Sequence, residues 1–253
     1  MKAKDIFLSV VITMYNEEEN LKRGVLDEVA DYLKKQKYWW EVIINDDGSS
    51  DSSCELVEKF IKGHPGFRLL KSPHEGKPFG LRTGMEVAKG KIVLFTDVDQ
   101  STPIDQVEKL LPFFERGFDV VIGSRGVKRQ DFPWYRQLMS WGFRSGRRLI
   151  LLREIIDTQC GFKAFKTEVA RKLFSQLQIF KESKKISGWR VGAFDVELLF
   201  LAQKRGYKIA EVLVAWRDRD LARGKQRKFF QESKEMLKEI IRVKVNDWRG
   251  IYD

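Results

Sequence analysis

The chain has 253 residues, 43% hydrophobic and 33% charged, which is apolar enough to bury a core and excludes a disordered or collagen-like chain. Its two cysteines, Cys54 and Cys160, lack CxxC or CxxH spacing, so a disulfide framework and a cysteine zinc site are excluded and a reduced, intracellular protein is expected. The net charge is +11, and the whole surplus falls in two segments: eight basic residues against one acidic over 123–153, and eleven against seven over 217–253.

Residues 1–5 lead straight into a strand-like segment with no small-residue cleavage site. No apolar run approaches the ~18 residues of a membrane span. Neither a secretion signal nor a span is expected. The first half then alternates strand-like and helix-like stretches, the pattern of an α/β fold with a mostly parallel sheet. Residues 8–12 read as a strand, and the acids at 17–19 open a helix running to about Gln36. Residues 40–45 form a second strand, stopped by Asp46-Asp47-Gly48-Ser49-Ser50-Asp51, a turn-and-cap cluster that opens a helix through Lys62.

A short strand at 67–71 and a loop at Gly76-Lys77-Pro78 precede a helix to Gly90. The apolar strand 92–96 ends at Asp97-Val98-Asp99, and a helix over 104–116 leads to a strand at 120–122. The second half is expected to hold helices at 140–152, 167–177 and 194–205, with strands at 160–165 and 208–214. Apolar residues at Phe229, Phe230, Met236, Leu237, Ile240 and Ile241 mark an amphipathic C-terminal helix. No repeat or low-complexity linker divides the chain, so one domain is expected over 1–253.

In open α/β sheets, ligands bind outside the carboxyl ends of the strands. Glu17, Asp46, Asp47, Asp97 and Asp99 all fall at such ends. Carboxylates gathered at one sheet edge repel unless a cation joins them, and hard oxygen ligands facing a diphosphate suit Mg²⁺ or Mn²⁺. Convergence of Asp46, Asp97 and Asp99 on a metal-nucleotide site is therefore expected. An acidic pair after a strand is commonly only a turn or helix cap, and the signal here is its coincidence with Asp-Asp-Gly-Ser. Neither GxxxxGK[ST] nor a GxGxxG after the first strand is present. The segment over 123–153 mixes its basic residues with Phe132, Trp134, Tyr135, Trp141 and Phe143, which suits a phosphate-rich or membrane-interface surface.

Residues 11–21 (VITMYNEEENL), Asp46-Asp47-Gly48-Ser49, Asp97-Val98-Asp99, Gly123-Ser124-Arg125 and residues 157–163 (DTQCGFK) occur in the order seen in family 2 inverting glycosyltransferases. The resemblance covers nearly the whole chain. With residues 193–199 (AFDVELL), the 157–163 block is most similar to the dolichyl-phosphate glucosyltransferase branch, with the mannose synthases as close relatives. The resemblance implies a GT-A fold and transfer of a hexose from a nucleotide sugar, of UDP-glucose or GDP-mannose type, to the phosphate of a polyprenyl lipid.

It also implies site residues. Tyr15, Glu17, Ile44, Asp46, Asp47, Lys77 and Val98 would surround the donor, with Asp97 and Asp99 at the metal and diphosphate. Arg125, Arg136 and Ser140 would surround the acceptor phosphate, and Asp157 and Asp195 fall in the family's active-site motifs. The chain then divides into a nucleotide-sugar-binding half (1–122), an acceptor and active-site half (123–216) and a basic C-terminal helix (217–253). Thr13 stands where relatives often have proline, and Ser101 where mannose synthases have a metal-binding glutamine. The transmembrane helices of many relatives have no counterpart, so attachment is expected to be peripheral, on the cytoplasmic face of a membrane.

Two other classes fit parts of the pattern. A basic nucleic-acid-binding protein fits the charge and the aromatic-basic segment, but offers no reason for acidic motifs at strand ends and carries no recognisable nucleic-acid-recognition motif, so no nucleic-acid partner is expected. A metal-dependent nucleotidyltransferase would use the same carboxylates and is distinguished by releasing pyrophosphate.

Overall fold

The computed structural model describes residues 5–126, 155–181, 194–221 and 229–253, with side chains in the last stretch from 237 onward. The expected helix at 140–152, Arg136, Ser140 and the aromatics of the basic segment lie outside the described residues. The described residues build one sheet of seven strands in the order β3-β2-β1-β4-β6-β5-β7. These are β1 (Leu8–Met14), β2 (Trp40–Asp46), β3 (Phe67–Lys71), β4 (Ile92–Asp97), β5 (Val120–Ser124), β6 (Lys163–Lys166) and β7 (Ile209–Leu213). Strands β1, β2, β3 and β4 pair in parallel, as do β5 and β7; β6 runs antiparallel between β4 and β5. The expected mostly parallel α/β sheet is what forms.

Its centre follows from composition. Every residue of β1 is buried, and a near-continuous apolar strand is what a parallel sheet covered on both faces requires. Alternation sends Val11, Ile43, Val93 and Phe95 to one face, against α4 (Lys77–Val87), α6 (Thr167–Gln176) and α7 (Phe194–Lys204). Val10, Ile12, Val42, Ile44 and Leu94 go to the other, against α2 (Val25–Leu33), α3 (Ser53–Lys62) and α5 (Val107–Glu115).

Three expected elements change. The single helix to Gln36 is two, α1 (Glu18–Lys22) and α2, because Gly24 adopts φ 85°, a left-handed conformation that a helix cannot continue through. The strand expected from Cys160 starts at Lys163. Of the helix expected over 217–253, the described part is α8 (Phe229–Trp248), while residues 217–221 lie outside any helix or strand. No helix among the described residues is long and apolar enough to cross a membrane.

Helix α8 packs on α7, and the chain end is pinned by a buried acid. Glu197 accepts hydrogen bonds from the Gln178 amide (2.8 Å), the Tyr252 hydroxyl (2.9 Å) and Arg242 Nη2 (2.9 Å). Burial pushes the Glu197 carboxyl up, against the pull of these donors. Tyr252→Phe removes one bond to this acid and is expected to cost about 2 kcal/mol, read as a lower urea midpoint at unchanged slope.

Candidate active site

Register places the site. Thr13 of β1 pairs with Asn45 on one side and Asp97 on the other, and Met14 pairs with Asp46. Asp46 and Asp97 therefore flank β1, separated by two strand spacings of roughly 9–10 Å. Each belongs to its own turn, and among the described residues no three His, Cys, Asp or Glu side chains gather into a metal cage. Asp46, expected at the nucleotide, and Asp97, expected with Asp99 at the metal, thus lie on opposite sides of β1.

On the β1–β2 side, two loops interlock. Asp46 Oδ1 accepts the Ser49 amide at 3.1 Å, Ser49 Oγ accepts the Asn16 amide at 3.0 Å, and Asn16 Oδ1 accepts the Ser50 amide at 2.8 Å. Asn16 itself sits at φ 53°, a conformation asparagine tolerates better than most residues. The buried Glu17 is anchored through its amide to Ser53 Oγ (2.7 Å) and through Oε2 to Asn20 Nδ2 (2.6 Å).

Asp47, expected at the donor, is engaged by the loop that follows β3. Its oxygens accept the Glu75 amide at 2.9 Å, the Gly76 amide at 2.9 and 3.1 Å, and meet His74 Nδ1 at 2.9 Å. Burial raises its carboxyl, and those amides and His74 oppose the rise. Asp47 thus shapes the loop that opens α4, and it seats the His74 ring on Tyr15, with centroids 4.0 Å apart. The side chains of Ile44 and Val98, both expected at the donor, are buried in the core beside α2, α3 and α5.

On the β4 side the Asp-Val-Asp turn is built around charge. Lys77, almost wholly buried at the start of α4, makes an ion pair with Asp97 Oδ1. Burial works against the Lys77 ammonium, but the charges of Asp97, Asp195 and Asp99 outweigh it and hold its affinity for the proton above the usual lysine range. Asp99 Oδ1 accepts the Ser101 amide at 2.8 Å. Its burial, and next the charge of Asp97, raise the Asp99 carboxyl.

Two hard carboxylates whose charges oppose each other in one turn are a pair that a divalent cation would neutralise, and with two protein ligands the remaining positions would fall to substrate oxygens and water. The donor set therefore fits Mg²⁺ or Mn²⁺. Gly161 closes the turn from the 157–163 loop: a Cβ there would run into the Asp97 carboxylate. Gly161→Ala is expected to displace Asp97 and lower turnover at least tenfold, while the urea midpoint falls by far less than a core truncation would cause.

Behind this turn are two buried ion pairs. Arg125 lays its fork on Asp157, Nε to Oδ2 at 2.7 Å and Nη2 to Oδ1 at 2.8 Å, with the Arg125 amide also on Oδ2 at 3.1 Å. Asp157, which falls in an active-site motif, therefore holds Arg125, and Arg125 is a guanidinium already seated on a carboxylate. Lys163, fully buried, places Nζ 2.6 Å from Asp195 Oδ1 and 2.6 Å from the Cys160 carbonyl, above the Phe95 ring.

Sequence reasoning missed Lys163 as a partner, and it missed His74, Asn20, Arg23, Arg219 and Asp220. Lys163 carried a readable signal, a lysine inside an apolar strand, because a buried lysine must have an acid. Apart from Asn20, which contacts Glu17 three residues before it, the others had none, since their contacts join residues far apart in the chain.

Solved structures share this fold. Glucosyl-3-phosphoglycerate synthase from Mycobacterium tuberculosis, in complex with Mn²⁺, UDP and its glucosylated product, superposes with a TM-score of 0.61 at 20% identity over 95% of this chain and 80% of its own. The mannosyltransferase PcManGT from Pyrobaculum calidifontis, in complex with GDP-Man and Mn²⁺, gives 0.59 at 19% identity, over 95% and 66%. Fold and sheet-edge site together define a GT-A glycosyltransferase.

Residues 9–174 match the family described as glycosyl transferase family 2, and the chain belongs to that family. A Dictyostelium discoideum protein named dolichyl-phosphate beta-glucosyltransferase is 34% identical over 98% of this chain and 77% of its own length. The Saccharomyces cerevisiae protein of that name is 31% identical over 98% and 77%, and the human one 33% identical over 83% and 67%.

Proposed function

We propose that this chain transfers glucose from UDP-glucose to the phosphate of a dolichyl-type polyprenyl lipid, with inversion at the anomeric carbon. The observation that carries the reading is the Asp97–Asp99 pair, set beside the buried Lys77 at the sheet edge, in a chain about one third identical to relatives of that name. Tyr15, Glu17 and Asp46 would line the nucleotide end, Lys77 the diphosphate, and Arg125, Arg136 and Ser140 the acceptor phosphate. Asp97 and Asp99 would hold Mg²⁺ or Mn²⁺, which when bound neutralises the charge of the departing nucleoside diphosphate.

A phosphate monoester is already anionic near pH 7, so the nucleophile needs alignment more than a general base. Arg125 is suited to align it, because its guanidinium is fixed by Asp157 before the acceptor arrives and little ordering remains to be done. Lys77, paired with Asp97 and favoured by the charge of Asp195, keeps a cation beside the leaving group. In this reading residues 1–122 bind the nucleotide sugar and 123–216 the acceptor. The basic, aromatic 123–153 segment meets the cytoplasmic face of a membrane peripherally, at on the order of 1 kcal/mol per basic residue near an anionic surface.

Donor hydrolysis across UDP- and GDP-sugars, with and without a polyprenyl phosphate, tests the assignment. UDP-glucose turnover that rises with the lipid phosphate is the expected result, and turnover indifferent to the lipid rejects the acceptor. Flotation with anionic liposomes that falls as salt rises is expected of the peripheral contact, and no binding at low salt rejects it.

A further inference from the structure

The turn that carries Asp99 is held from outside the sheet by residues distant in the chain. After β7, residues 217–221, outside any helix or strand, pass over it. The Arg217 amide donates to the Ser101 carbonyl at 2.9 Å, and the Arg219 amide to Ser101 Oγ at 3.2 Å. Arg23, at the break between α1 and α2, bridges the two: Nη2 donates to the Asp99 carbonyl at 2.6 Å, and Nη1 to the Arg219 carbonyl.

The same segment reaches the nucleotide side. Asn20 Nδ2 contacts both Glu17 Oε2 (2.6 Å) and Asp220 Oδ1 (2.9 Å), while Asn20 Oδ1 accepts the Leu221 amide at 3.0 Å. Arg219 is itself forked onto Glu28 of α2 at 2.6 and 2.9 Å.

We propose that residues 217–221 are a strap that holds the Asp99 turn and the Glu17 loop in one frame, with Arg23 as a positioning residue for the donor's diphosphate end. The inference rests on the reading that Asp99 faces that diphosphate. Asp99 lies in a turn whose next residue, Gln100, takes φ 50°, a conformation that a side-chain-bearing residue keeps only where its surroundings over-determine it. Arg23 is suited to this because a planar guanidinium reaches two carbonyls at once, where the single ammonium of a lysine would satisfy one well. Coupling between strap and ligand is reciprocal, so whatever the strap adds to donor affinity the donor returns as strap order.

Two variants and one exchange measurement test this. In the ligand-free protein, Arg23→Met is expected to speed hydrogen exchange at the Ser101, Arg217 and Arg219 amides at least tenfold. In wild type, saturating UDP with Mn²⁺ is expected to slow exchange at Arg217 and Arg219. Arg23→Met is expected to raise the donor KM at least tenfold, with kcat at saturating donor within threefold of wild type and the acceptor KM unchanged; Arg23→Lys recovers part of the donor affinity.

Unchanged exchange at the three amides in Arg23→Met, or an unchanged donor KM with the exchange accelerated, overturns the strap. So does equal loss for donor and acceptor, the sign of a merely structural residue. Should Arg23→Met fail to fold, the same comparison in Arg23→Lys decides. Failure of wild type to bind UDP with Mn²⁺ would instead reject the donor reading, while the ligand-free exchange arm still judges the strap.

Discussion

Lys163→Met is expected to lower the unfolding free energy by about 3–5 kcal/mol, because it strands Asp195 in a site from which water is largely excluded. The lysine is fully buried, and Asp195 is its ion-pair partner at 2.6 Å. A surface pair would contribute under about 1 kcal/mol, so the size of the loss itself reports burial. Removing both charges with Lys163→Met and Asp195→Leu is expected to recover most of the stability, since a buried pair and an apolar pair of similar volume are close in energy. Transfer activity is expected to stay low in the double variant, because the charge of Asp195 no longer supports the Lys77 ammonium beside Asp97. Urea unfolding of the single and double variants, with rates measured on the same preparations, separates the two effects. A single variant as stable as wild type would contradict the pairing.

Asp99→Ala is expected to weaken UDP binding in Mn²⁺ about tenfold to a hundredfold and to remove its sensitivity to EDTA, with little change in folding stability. The sign on stability follows from the environment: burial and the neighbouring Asp97 charge raise the Asp99 carboxyl, so in the protein alone this group is held at a cost that alanine relieves. The sign on binding is opposite, because the same repulsion is what a divalent cation removes. Calorimetry with UDP, in Mn²⁺ against EDTA, measures both proteins on one scale. Wild-type affinity that ignores the chelator, or a variant that binds as wild type does, would dismiss Asp99 as a metal ligand.

Local pattern makes much of this legible. The unbroken apolar runs of β1, β2 and β4, and the acidic turns that follow them, mark a parallel sheet and its ligand edge without reference to any distant residue. What escapes depends on partners that sequence distance hides. Asn20 meets Asp220 across 200 residues and Arg23 meets Arg219 across 196, so nothing near either residue announces the strap; the alternating charges at 217–220 look instead like the start of a solvated helix. The helix to Gln36 fails on one residue, Gly24, whose left-handed φ overrides an otherwise continuous apolar period. Resemblance places Ile44 and Val98 on the donor, and the fold buries their side chains in the core. Resemblance also gives Asp157 and Arg125 separate roles, yet they form one fork, and only the fold brings their loops together.

The most direct test combines the purified chain with UDP-glucose, a short-chain polyprenyl phosphate and Mn²⁺, and follows the lipid product by NMR at its anomeric proton. A glucosyl phosphate lipid of β configuration, formed from the α-linked donor with release of UDP and abolished by EDTA, is the predicted result. Release of pyrophosphate, retention of the α configuration, or free glucose in place of a lipid product would contradict it.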